Sequence, residues 1–179
     1  MSLPVTVGGQ PVPPSQVALG PKITIQLSDG SQVDVSRQAI FNHLNDEKVP
    51  DILKSGSRTI ADTVAETGEA VVPVGDIPRN IFLPIAEWME YHANQPPKYL
   101  ENNTERFNLS LFDEWDKQLL SRFNNEQLKE LILAVNYLDI PALLQETAKF
   151  IADRIQNMPA EQVKEYLGEP ATPMVGAQA

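Results

Sequence analysis

Cysteine does not occur in the 179-residue chain. That excludes a disulfide framework, a thiolate nucleophile and a cysteine-ligated zinc. It also fits a reducing compartment, cytoplasmic or nuclear. Basic residues are few: 14 Lys and Arg stand against 24 Asp and Glu, giving a formal charge of −10. They form no cluster, so the chain lacks the electrostatic footprint of a nucleic-acid binder. No run approaches the roughly 18 apolar residues of a membrane span. The opening MSLPVTVGGQPVPPSQ has neither a basic start nor a compact apolar stretch, so no secretory signal is expected. Histidine is scarce: His43 and His92 lie far apart, and neither sits in H-E-x-x-H or another i, i+4 ligand pair. His92, at the end of an apolar segment, reads as a partly buried structural residue. A G-x-S-x-G elbow and a P-loop are absent, and the carboxylates are scattered among Lys, Gln and Asn. The sequence therefore predicts no catalytic residue, no metal site and no cofactor.

What is present is periodic. Residues 1–20 are rich in Pro, Gly and Val and read as a flexible tail. In KITIQLSDGSQVDVS (22–36), Ile23, Ile25 and Leu27 alternate, then Val33 and Val35. Ser28-Asp29-Gly30-Ser31 between them supplies a turn, which predicts a β-hairpin. Residues 37–56 mix short helical patterns with a break at Pro50, and the polar stretch 55–70 is expected to be a loop. A short strand is expected within 69–77. The segment 78–93 has helical spacing at Ile81, Ile85, Trp88 and His92, with Pro84 implying a late start or a bend. Paired prolines mark 94–112 as a connection.

Helices follow at 113–123, 124–139, 139–157 and 158–168. Asn124 and Gln127 make a capping-box pattern, Asp139 reads as an N-cap before Pro141, and Pro159 and Gly168 bracket the last helix. EPATPMVGAQA (169–179) forms a second tail. Strands first and helices later predict an α+β fold with a small sheet.

The later helices carry more apolar surface than one small sheet can cover. Leu128, Leu131, Ile132 and Val135 form one stripe, while Leu133, Ala134 and Leu138 lie off it. Leu143, Leu144, Thr147, Phe150, Ile151 and Ile155 also exceed a narrow stripe, and Val163, Tyr166 and Leu167 add a third patch. Part of this surface is expected to meet a partner. The stripe at 128–138 also ends on a polar pair, Asn136-Tyr137.

LKELILAVNYLDIPALL resembles the signature helix pair of the Skp family, the S-phase-kinase-associated adaptors of SCF ubiquitin ligases. The likeness extends outward in order. KITIQLSDGSQVDV resembles the family's opening hairpin, and VVPVGDIPRNIFLPIAEWMEYHANQPP its third strand and following helix. EWDKQLL resembles the Trp-Asp element, and MPAEQVKEYL the next helix. The resemblance implies a BTB/POZ fold over 21–139, interrupted by the linker at 94–112, and a C-terminal helical extension over 140–168. It implies a non-catalytic adaptor that bridges the N-terminal domain of a cullin to F-box proteins, without nucleic acid, membrane or cofactor. Asn136 and Tyr137 match positions that contact the cullin. Leu128, Ile132, Leu144, Ile151, Val163 and Tyr166 match the F-box side, with intramolecular core as the competing role for the aliphatic ones. The family continues into a further acidic helix where this chain has EPATPMVGAQA, which implies a shortened F-box clamp. Residues 37–54 match poorly. Two alternatives remain open: a decoy that binds one partner alone, and an elongin-C-like adaptor.

Overall fold

The structure, a computed structural model, describes residues 6–7, 10–11, 22–68, 71–95 and 113–168. The predicted tails at 1–20 and 169–179 and the connection at 94–112 lie outside those residues. The exceptions are Asn94, Gln95 and a small ribbon in which β1 (Thr6–Val7) pairs antiparallel with β2 (Gln10–Pro11).

The predicted hairpin is β3 (Lys22–Gln26) and β4 (Gln32–Ser36), antiparallel, with Ile23 opposite Val35 and Ile25 opposite Val33. Ile23, Ile25 and Val35 are fully enclosed, as alternation on a one-sided sheet requires. Gly30 takes φ +82° in the turn, a conformation free of Cβ strain only for glycine. Asp29 accepts hydrogen bonds from the Ser31 hydroxyl at 2.6 Å and the Ser31 backbone N–H at 2.8 Å, and these hold its carboxyl below the usual carboxylate range. β5 (Val71–Pro73) runs parallel along the other side of β3, giving the order β4-β3-β5.

Ser36 ends β4 and starts α1 (Arg37–Phe41). Its hydroxyl accepts from the Ala39 N–H at 3.1 Å. The Glu90 carboxylate accepts in turn from the Ser36 backbone N–H at 2.5 Å and from its hydroxyl at 2.8 Å, placing negative charge at a helix N-terminus. A 3-10 turn follows at Asp51–Leu53.

The expected loop at 55–70 is instead largely a helix, α2 (Arg58–Thr67). Ser57 caps it by accepting from the Ile60 N–H, and Gly68 closes it. Ile60, Ala61 and Val64 supply a narrow buried stripe. Its threonines do not break the helix because Thr63 and Thr67 donate their hydroxyls back one turn, to the carbonyls of Thr59 and Thr63.

α3 (Arg79–Ala93) starts on time and continues through Pro84, which withholds one N–H from the ladder. Eight of its residues are buried, from Ile81 and Phe82 through Trp88 and Met89 to His92 and Ala93. Then come α4 (Glu114–Ser121), α5 (Asn125–Leu138), α6 (Pro141–Gln156) and α7 (Ala160–Leu167). The Asn124–Gln127 capping box forms in both directions, at 2.9 and 3.0 Å. Asp139 departs from expectation. It does not cap α6 but ends α5 in the left-handed region at φ 49°, and Ile140 takes the cap position. Pro141 disfavours helical geometry at Ile140, so the reversal between helices falls on Asp139, a residue type that tolerates it.

The α+β class is as predicted. One apolar core joins the sheet to helices α1 through α6. Among the described residues, no helix is long and apolar enough to cross a membrane.

The end of α5 is set into the start of α2. Thr59 Oγ1 donates to the Tyr137 carbonyl at 2.7 Å, Ser57 Oγ to that of Leu138 at 2.6 Å, and the Arg58 N–H to that of Asp139 at 3.1 Å. The Ala142 N–H, in the first turn of α6, donates to the Lys54 carbonyl at 3.0 Å. The last carbonyls of one helix and an early N–H of the next, which helices leave orphaned, are thereby satisfied from a single loop. Gly56 lets that loop approach: a Cβ there would lie 2.5 Å from the Ile40 carbonyl oxygen.

Candidate interaction surfaces

Helix α5 has an inner and an outer face. Leu128, Leu131, Ala134, Val135 and Leu138 are buried. Leu133 is 69% exposed and Tyr137 53%, one turn apart, with Asn136 exposed between them. The off-stripe residues therefore separate: Ala134 and Leu138 turn inward and Leu133 outward. Asn136 and Tyr137 lie together where their side chains can be reached. The Tyr137 carbonyl is held by Thr59, so the backbone beneath the ring is fixed.

The residues matched to the F-box side do not share one environment. Ile132, Leu144, Ile151 and Val163 are half-buried, and Leu144 and Ile151 pack against the core. Leu128 is fully enclosed and Tyr166 is 5% exposed. In this structure both side chains lie in the interior. Leu128 sits on the same stripe as Leu131 and Val135 and must face the core with them. Tyr166 tucks its ring under Lys129, whose Nζ lies 5.4 Å from the ring centroid. Its hydroxyl has no hydrogen-bond partner among the described residues, and burial pushes its pKa upward. Arg154 ties α6 to the start of α5 through the Asn125 side chain at 3.1 Å and the Phe123 carbonyl at 3.3 Å. Leu167, which the resemblance does not single out, is 60% exposed.

The fold also gathers groups that the sequence keeps apart. His92 of α3, Asp116 of α4 and Glu146 of α6 are all buried and face one another. His92 Nε2 and Asp116 Oδ1 share a hydrogen bond of 2.7 Å, and Trp88 Nε1–H donates to Glu146 Oε2 at 3.1 Å. The Trp88 and His92 rings lie 4.2 Å apart, and Tyr91 stacks on Trp115 at 4.0 Å. His92, expected from its apolar segment to be partly buried, is buried, with Asp116 as its hydrogen-bond partner. One signal of the cluster was available: Glu146 is a charge on the apolar face of α6, one turn from Leu143 and Phe150.

No family model matches the chain. Individual proteins do. The S-phase kinase-associated protein 1 homolog of Tetrahymena thermophila is 34% identical over 116 residues, 64% of this chain and 70% of that protein. The E3 ubiquitin ligase complex SCF subunit sconC of Aspergillus flavus is 30% identical over 150 residues, 80% of this chain and 81% of that protein. The chain belongs to the Skp family. The protein of the same name from Arthroderma benhamiae is 29% identical over 144 residues, 80% of each chain.

Proposed function

We propose that this protein is the adaptor subunit of an SCF-type cullin-RING E3 ubiquitin ligase, joining a cullin N-terminal domain to F-box proteins, with no catalysis of its own. The observation that carries the reading is the outer face of α5. A helix otherwise committed to the core leaves Leu133 and Tyr137 exposed beside Asn136. An exposed tyrosine on a fixed backbone offers apolar area and a polar tip at little entropic cost, as interface anchors do. We assign this face to the cullin. The half-buried Ile132, Leu144, Ile151 and Val163 form the proposed F-box side, with Leu128 and Tyr166 supporting it from within. Ile132 lies one turn from Asn136 and roughly 140° round the helix from Tyr137, so the two proposed sides adjoin along one edge of α5 and diverge beyond it. We propose that the BTB/POZ part spans 21–139 and the extension 140–168, a division supported by the left-handed reversal at Asp139.

Binding of purified protein to a cullin N-terminal domain and to an F-box peptide tests the reading, and failure of both removes it. An F-box peptide at saturating concentration should also raise the melting temperature. Reconstituted ubiquitination then separates a bridging adaptor from a chain that holds only one partner.

A further inference from the structure

We infer that His92, Asp116 and Glu146 form a structural site for a divalent ion of the zinc class, stapling α3, α4 and α6 together. One ligand atom from each residue lies within 4.8 Å of the others. The residues are 8%, 0% and 8% exposed, so the site is closed to substrates and suits a structural ion rather than catalysis. A dication seated between the two interior carboxylates would interact favourably with both charges at once, beyond the hydrogen bonds that His92 and Trp88 already make to them.

The donor set selects the ion. One imidazole with two carboxylates and no thiolate fits Zn²⁺, whereas Mg²⁺ and Ca²⁺ favour all-oxygen shells. Nitrogen and oxygen ligands about 2.0–2.2 Å from a tetrahedral ion stand roughly 3.3 Å apart. The 2.7 Å contact between His92 and Asp116 therefore opens by a fraction of an ångström as the ion replaces the shared proton. His92 then offers the Nε2 lone pair and carries its ring proton on Nδ1. Trp88 stands outside the triad yet fixes the Glu146 carboxylate by its indole N–H, the role of an outer-sphere partner in metal sites. Its ring also packs against that of His92. Water or a second carboxylate oxygen completes the shell.

The chain's two tryptophans, Trp88 and Trp115, both border the cluster, so its own fluorescence reports on the site. The experiment uses the full chain, stripped with chelator and titrated with Zn²⁺, Mg²⁺ and, as a paramagnetic quencher, Co²⁺. Expected results are one Zn²⁺ per chain, a melting temperature raised by Zn²⁺ and not by Mg²⁺, and quenching by Co²⁺ that Zn²⁺ reverses. Glu146→Gln keeps an acceptor for Trp88 and should weaken Zn²⁺ binding at least tenfold with an unchanged circular dichroism spectrum. His43→Gln, which removes the other histidine, should bind as the wild type does. The inference is overturned if Zn²⁺ leaves the melting temperature unchanged, or if Glu146→Gln binds as tightly as the parent. No readout needs a cullin or an F-box, so the result is independent of the adaptor function.

Discussion

Helix α5 carries five buried side chains in 14 residues, and α7 carries one, Tyr166, in eight, although both end on a left-handed residue. α5 is held by the core along its length and, at its end, by Ser57, Arg58 and Thr59 at the start of α2. α7 rests on a single aromatic ring beneath Lys129. An isolated helix of about eight residues is not stable in water, so α7 depends on that ring and on whatever covers Leu167 and Val163. The lesson is a division of labour. Global stability resides in α5, whose outer face can serve a partner without loosening it. α7 has the sparser hold, with one buried side chain.

Leu128→Ala should break α5 at its core and lower unfolding free energy by about 2–5 kcal/mol in denaturant titration. A value below 1 kcal/mol would mean that α5 is not the seat of stability. Gly56→Ala attacks the socket at the other end of α5. The Cβ must displace the Ile40 carbonyl, at a cost of about 1–3 kcal/mol. Tyr137→Lys sharpens the contrast between faces: cullin affinity should fall at least tenfold, about 1.4 kcal/mol, while stability shifts by less than about 0.5 kcal/mol. Wild-type affinity in that variant would take Tyr137 out of the interface. Tyr166→Phe on α7 should reverse the usual sign. It removes a buried hydroxyl without a partner among the described residues and should leave stability unchanged or raised by up to about 1 kcal/mol. A loss of 1 kcal/mol or more would show that the hydroxyl is bonded.

The smallest effect is at low pH. The Asp51 carboxylate binds Lys54 at 2.8 Å and Arg58 at 3.0 Å, and the Lys54 hydrogen bond leads in holding it below its ordinary value of 3.8. Its contribution is complete above that value and is lost as the pH falls through the lower, folded one. Asp51→Asn should therefore lose stability at neutral pH and show a flatter acid limb, a difference kept small by exposure of the pair.

Much of the fold was legible because its signals are local. The hairpin announced itself by alternation around Asp29-Gly30, and α5 by a capping box that forms as written. Helix α2 was missed because its threonines mimic a loop and its stripe is only three residues wide. Asp139 was misassigned because the same residue type serves as an N-cap and as a left-handed stop, and only the position of Pro141 relative to Ile140 decides between them. Among the candidate contacts, Asn136 and Tyr137 were marked by polarity at the end of an apolar run. Leu128 and Ile132 look alike in sequence and differ only in which neighbour closes over them. The His92–Asp116–Glu146 cluster arises from tertiary packing of three helices, and no spacing rule reaches across them.

The segment from Lys54 into the first turn of α2 grips the carbonyls of Tyr137, Leu138 and Asp139 and the amide of Ala142. Mechanically, the corner between α5 and α6 is a welded bracket and not a swivel. A load applied at Tyr137 passes into the body through Thr59 and on to α6 through Lys54, with no slack bond to absorb it. The angle and distance between α5 and α6 are thereby fixed by the body of the protein.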